Sequence, residues 1–95
     1  MLKNYFNEEE LIDIYDAYEP TVLEKLDEKN MNTIIEYLNN NVTITKDILH
    51  YYLDLFTIES EEFIQKFEKL KGLLGDNYAV LLEENISFLE RMHHL

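Results

Sequence analysis

The chain has 95 residues, with twenty acidic against eight basic side chains, a formal charge of −12 and no cysteine. Those values exclude disulfides, thiolate catalysis and cysteine-based zinc sites. They also disfavour direct contact with nucleic acid or an anionic membrane, because so acidic a surface is repelled by phosphate.

Two glycines and one proline are too few for the turns of an all-β sandwich, and apolar residues recur at helical spacing. The expected fold is therefore all-α: a single domain, 1–95, folded as a compact bundle of about five or six short amphipathic helices. The expected helices are 8–18, 20–27, 31–39, 46–56, 61–72 and 77–92.

The first helix is announced by Phe6-Asn7-Glu8-Glu9-Glu10-Leu11. Asn7 caps it, Glu10 stands where a capping-box carboxylate reaches back to the cap amide, and Phe6 with Leu11 forms a staple. Three carboxylates in the first turn also suit the positive end of the helix dipole. Leu11, Ile14, Tyr15 and Tyr18 are expected on the inner face, while Glu9, Asp13 and Asp16 form an acidic stripe. Pro20 ends this helix and opens the next, in which Val22, Leu23 and Leu26 face inward.

Asn30 is expected to cap the third helix, where Met31, Ile34, Ile35 and Leu38 follow core spacing and Asn39-Asn40-Asn41 closes it. Thr45 is expected to cap the fourth, with Ile44 and Leu49 as a second staple. Its residues Ile48, Leu49, Tyr52, Leu53 and Phe56 form a wide apolar face, so this helix is expected at the centre of the bundle. Ser60 caps the fifth helix, Phe63, Phe67, Leu70 and Leu74 line its inner side, and Gly72 with Gly75 marks its end. In the last helix Leu81, Leu82, Ile86, Leu89 and Met92 face inward. A weak repeat at a lag of 32 residues aligns Ile35, Leu38, Val42, Ile48, Leu49 and Phe56 with Phe67, Leu70, Leu74, Val80, Leu81 and Phe88. Stacked helical repeats or two similar helix pairs would both produce it.

No cofactor or metal site is expected. Glu90 and His93 have the Glu-x-x-His spacing of di-iron bundles, but no second such motif exists to complete a site. His50 has no Ser or Cys partner pattern, no glycine-rich loop precedes a helix, and no calcium-loop pattern occurs. The chain is accordingly read as non-enzymatic.

The candidate partner-binding residues are Glu8, Glu9, Asp13, Asp16 and Glu19, with Tyr51 as an exposed aromatic anchor beside a core Tyr52. The favoured reading of this acidic stripe taken alone is a solvated face that keeps the protein in solution; the functional one is that carboxylates spaced along a rod imitate a phosphate backbone. For the whole chain the favoured reading is a non-enzymatic acidic interaction protein that binds a basic protein surface, its sharpest version being an inhibitor of a nucleic-acid-acting protein by charge mimicry. The other is a homodimeric structural or scaffolding bundle. The first eleven residues contain no apolar signal segment, and the longest apolar run, Tyr78 to Leu82, is far short of a membrane span. A cytoplasmic location is expected on that ground.

Two resemblances accompany this reading. The leucine spacing of residues 14 to 92, as in Ile-Leu-x-x-Tyr-Leu-Asp-Leu-Phe, resembles mitochondrial transcription termination factor repeats. Those present a basic face to DNA, so DNA binding does not carry over to this acidic chain. Size, acidity and Tyr51-Tyr52 are similar to colicin immunity proteins, helical inhibitors of basic nucleases. The proline that follows the paired tyrosines there is Leu53 here. Phage anti-defence proteins share the same size and charge. None of these likenesses is specific enough to assign a family.

Overall fold

Asn7 closes a complete capping box at the start of the first helix. Its Oδ1 accepts from the Glu10 N–H at 2.9 Å, and Glu10 Oε1 accepts from the Asn7 N–H at 3.0 Å. This computed structural model describes residues 2–95. Among them lie six α-helices: α1 (Glu8–Ala17), α2 (Pro20–Glu24), α3 (Glu28–Asn39), α4 (Thr45–Tyr51), α5 (Ser60–Leu74) and α6 (Tyr78–Glu84). Three 3-10 segments accompany them, Leu2–Asn4, Leu53–Thr57 and Ile86–His94, and no strand is present among the described residues. The all-α single-domain expectation holds.

The long fourth helix expected over 46–56 is broken. α4 ends at Tyr51, Tyr52 leaves helical geometry (φ −132°, ψ 42°), and the chain resumes as a 3-10 turn. The cause is long-range. The Tyr18 hydroxyl donates to the His50 carbonyl at 2.9 Å and accepts from the Leu53 N–H at 3.1 Å. One side chain thus satisfies two backbone groups that the break orphans. The turn rotates Leu55 into the core beside Leu53 and Phe56 and leaves Tyr52 half-buried.

The last helix, expected over 77–92, breaks in the same way at Asn85, for a local reason. Asn85 Oδ1 accepts from the Ser87 N–H and hydroxyl at 3.2 and 2.5 Å, an alternative that competes with the helical ladder.

Capping also departs from expectation at four positions. Asp27, not Asn30, caps α3, accepting from the Asn30 N–H at 2.9 Å, so this helix starts at Glu28 and α2 stops short. Asn30 instead reaches across the bundle to the start of α5. Its Oδ1 accepts from the Ser60 N–H at 2.8 Å and its Nδ2 donates to the Ile58 carbonyl at 2.7 Å. That contact does the work assigned to a Ser60 cap. Thr45 lies inside α4 rather than at its cap, buried, with no hydrogen-bond partner for its hydroxyl among the described residues. Gly72 sits within α5, and Gly75 alone ends it, in a positive-φ conformation (83°) open to glycine.

α3 packs on α5 and on Leu53–Thr57, and Ile86–His94 closes over α5 and α6. Between them runs an aromatic spine: Phe56 to Phe63 at 6.1 Å, Phe63 to Phe67 at 6.0 Å, then Phe67 edge-on to Tyr37 at 5.6 Å and to Tyr78 at 6.4 Å. Such pairs add about 0.5–1.5 kcal/mol each beyond the area they bury. The radius of gyration is 13.0 Å, close to the roughly 12–13 Å of a globular chain of this length.

The internal similarity is real at the level of architecture, in a different register. α4 and α6 have seven residues each, and each is followed by one non-helical residue and a 3-10 segment. Their boundaries are displaced by 33 residues, Thr45 to Tyr78 and Leu53 to Ile86. The 32-residue alignment set buried Ile48 against exposed Val80, whereas the structural register pairs buried Leu49 with Leu82 and Phe56 with Leu89.

Candidate partner-binding face

α1 lies at the edge of the bundle, packed on Leu2–Asn4 and pinned to α4 through Tyr18 and an ion pair of Glu10 with Lys46 at 3.3 Å. Ile14 is fully buried, with Leu11 and Tyr18 packed against the core. These three carry the inner edge. Tyr15, expected beside them, is 59% exposed. It stands about 100° around the helix from Ile14, beyond the strip that its neighbours cover.

The outer face therefore consists of two adjacent rows. Glu9, Asp13 and Asp16 form one; Glu8, Ile12 and Tyr15 form the other, with Glu19 continuing it past the helix end. All of these side chains are exposed, Ile12 to 62%. Among the described residues, none of the five carboxylates lies within ion-pair distance of a lysine, arginine or histidine. Glu10, in the same first turn, is different. The Asn7 backbone amide and then Lys46 hold its carboxyl below its ordinary pKa, and it is committed to the cap. It does not belong to the outward face.

Tyr51 is 63% exposed at the end of α4. One face of its ring is stacked on His50, centroids 4.7 Å apart and planes 6° from parallel, and His50 in turn meets the edge of Phe6 at 6.0 Å. Both residues belong to the last turn of α4, so the stack joins consecutive residues, a contact that the i, i+3 and i, i+4 spacing of a helix face does not anticipate. Sequence spacing offered no signal for it.

Tyr51 also joins two clefts. One, of about 450 Å³, is lined by Asp13, Ala17, Tyr18, His50 and Tyr51. The other, of about 350 Å³, includes Ile44, Asp47, Glu83 and Ile86 with Tyr51 in its wall. The structure thus brings Asp13 and Tyr51 into one concavity, with Glu8, Glu9, Asp16 and Glu19 on the adjoining helix surface. Ile12, Tyr15 and His50 complete this surface and were not among the residues expected there.

Glu90 and His93 are both exposed, and His93 Nε2 lies 3.7 Å from Asp54 Oδ2. Among the described residues no group of three or more histidine, aspartate or glutamate side chains is arranged to hold a metal ion, and no helix is long and apolar enough to cross a membrane. No family model, curated protein or solved structure matches the chain.

Proposed function

We propose that this is a non-enzymatic interaction protein that docks the outer face of α1, together with Tyr51, onto a basic protein surface. The sharpest form of the proposal makes it an inhibitor of a nucleic-acid-acting protein, its carboxylates standing where backbone phosphates would lie. The observation that carries it is the composition of that face. Five carboxylates with no ion-pair partner among the described residues run along α1 and just past its end beside exposed Ile12 and Tyr15, and one of them, Asp13, shares a cleft with exposed Tyr51. Ile12 and Tyr15 are neighbours at i and i+3 on this face, so they present adjoining apolar surface bordered by charge, the composition of a docking patch. Opposite charge on a partner would steer encounter, and desolvated anchors would then hold the complex.

The test is capture from native lysate at low and then moderate salt, using the wild type, a Glu9→Gln/Asp13→Asn/Asp16→Asn variant and a Glu24→Gln/Glu36→Gln control. A basic protein retained by the wild type and the control, weakened by salt and lost with the triple variant, supports the proposal. Retention by all three sinks it.

Exposed Leu73 and Val80 favour a second reading, a homodimer closed through α5 and α6. Sedimentation equilibrium decides it: a mass that rises with concentration supports the dimer, and a constant monomer mass removes it.

A further inference from the structure

Tyr51 and Asp13 share one open cleft, with Tyr18 and His50 in its wall. This cleft has a chemistry that the acidic face alone lacks. The Tyr51 ring is backed on one side by the stacked imidazole of His50, which is itself held against Phe6, so its plane is fixed while most of its surface stays open. Asp13 lines the same cleft, and its carboxylate has no cationic neighbour within ion-pair distance among the described residues. A fixed aromatic plane that shares a cleft with such a carboxylate complements a planar cation.

We infer that the cleft between α1 and α4 is a guanidinium site: it receives an arginine side chain of the basic partner, stacked on Tyr51 and paired with Asp13. This rests on the proposed docking face and specifies what that face selects. A guanidinium is planar, weakly hydrated and able to stack and ion-pair at once. A lysine ammonium is a compact, strongly hydrated point charge that uses the carboxylate but gains less from the ring. At about 450 Å³ the cleft has room for one such side chain with solvent around it. Tyr51 is exposed on a helix whose apolar residues Ile48 and Leu49 are buried.

The probes are the tripeptides acetyl-Arg-Arg-Arg-amide and acetyl-Lys-Lys-Lys-amide. Each is titrated at fixed ionic strength into the full chain, with amide chemical shifts as the readout. The arginine peptide is expected to bind about fivefold more tightly than the lysine peptide. Its shifts should centre on Asp13, Tyr18, His50 and Tyr51. Tyr51→Ala is expected to abolish the preference for arginine, Tyr51→Phe to keep it, and Asp13→Asn to weaken both peptides. Tyr51 is exposed, so its substitution leaves the fold intact for the comparison.

Equal affinity for the two peptides, or an arginine preference that survives Tyr51→Ala, overturns the guanidinium site. If both peptides bind equally and are lost with the Glu9/Asp13/Asp16 variant, the site falls but the acidic docking face stands. If neither peptide shifts α1 or α4, the site falls, and the lysate capture judges the face separately.

Discussion

The Tyr18 hydroxyl and the backbone N–H of Leu53 lie 3.1 Å apart, and the same hydroxyl donates to the His50 carbonyl at 2.9 Å. A single oxygen on the residue that caps the end of α1 thereby fixes the point where α4 stops and the 3-10 turn begins. Tyr51, the last residue of α4, stands immediately before that point, stacked on His50 and lining one cleft with Asp13.

Removing that oxygen is the first test. In Tyr18→Phe the ring still packs, but the Leu53 N–H, on a fully buried residue, and the His50 carbonyl lose their partner. Unsatisfied buried backbone groups cost about 1–3 kcal/mol each. Urea unfolding is expected to show a loss in that range with an unchanged slope, and a wild-type midpoint would contradict the role given to Tyr18.

The link from Asn30 to the start of α5 makes a parallel prediction. Asn30→Ala leaves the Ser60 N–H and the Ile58 carbonyl without their side-chain partner. Losing a side-chain cap typically costs about 0.5–2 kcal/mol. The exposed Asn40→Ala control should stay within about 0.5 kcal/mol of wild type. Equal effects in the two variants would show that Asn30 does not cap α5.

Thr45 offers the reverse case. Its hydroxyl is buried with no hydrogen-bond partner among the described residues, so replacing it by a methyl group removes a penalty and leaves the volume nearly unchanged. Thr45→Val is expected to raise stability by about 1 kcal/mol in urea unfolding. A loss of stability would mean that the hydroxyl has a partner.

The pH dependence has two limbs. The backbone amide of Asn7 and then Lys46 lower the pKa of Glu10, and a hydrogen bond from Tyr37 and then Lys71 lower that of Glu68. A depressed carboxylate stabilises the fold above its unfolded pKa of about 4.3, and that contribution is lost as pH falls through the folded value. Burial chiefly raises the pKa of Tyr18 and Tyr37, and for Tyr37 the Glu68 hydrogen bond adds to it. Those phenols stabilise the fold fully below their unfolded pKa of about 10, and the contribution disappears as pH rises through their folded values. Unfolding midpoints across pH are expected to fall at both ends. Glu10→Gln should flatten only the acid limb; an acid limb that stays as steep as wild type would contradict the capping-box account.

These elements were unequally legible in the sequence. The first helix and its capping box could be read directly, because Asn7 and Glu10 act on backbone groups within three residues of themselves. The cores of α3 and α5 were legible for the same reason, since Met31, Ile34 and Leu38, and Phe63, Phe67 and Leu70, mark a face by spacing alone. The break at Tyr52 was not legible, because it contains neither proline nor glycine and its partner is 35 residues away. The break at Asn85 did have a local cause, an Asn with Ser two residues on, which the apolar periodicity of 77–92 concealed. The acidic rows of α1 were visible from composition. Exposed Tyr15 and the His50–Tyr51 stack were not, since the first depends on which strip of α1 the bundle covers and the second joins consecutive residues, which helical spacing does not pair.

The measurement that bears most directly on the central claim is the affinity of the purified basic partner for the wild type and for the Glu9→Gln/Asp13→Asn/Asp16→Asn variant, read by calorimetry at low salt. Exposed charge pairs contribute about 0.2–1 kcal/mol each, so losing three should weaken binding about tenfold. The urea midpoint should hold at or above the wild-type value, since none of the three carboxylates has an ion-pair partner among the described residues. A tenfold loss with an intact fold is the predicted result. Unchanged affinity would contradict the claim that this face of α1 is where the partner binds.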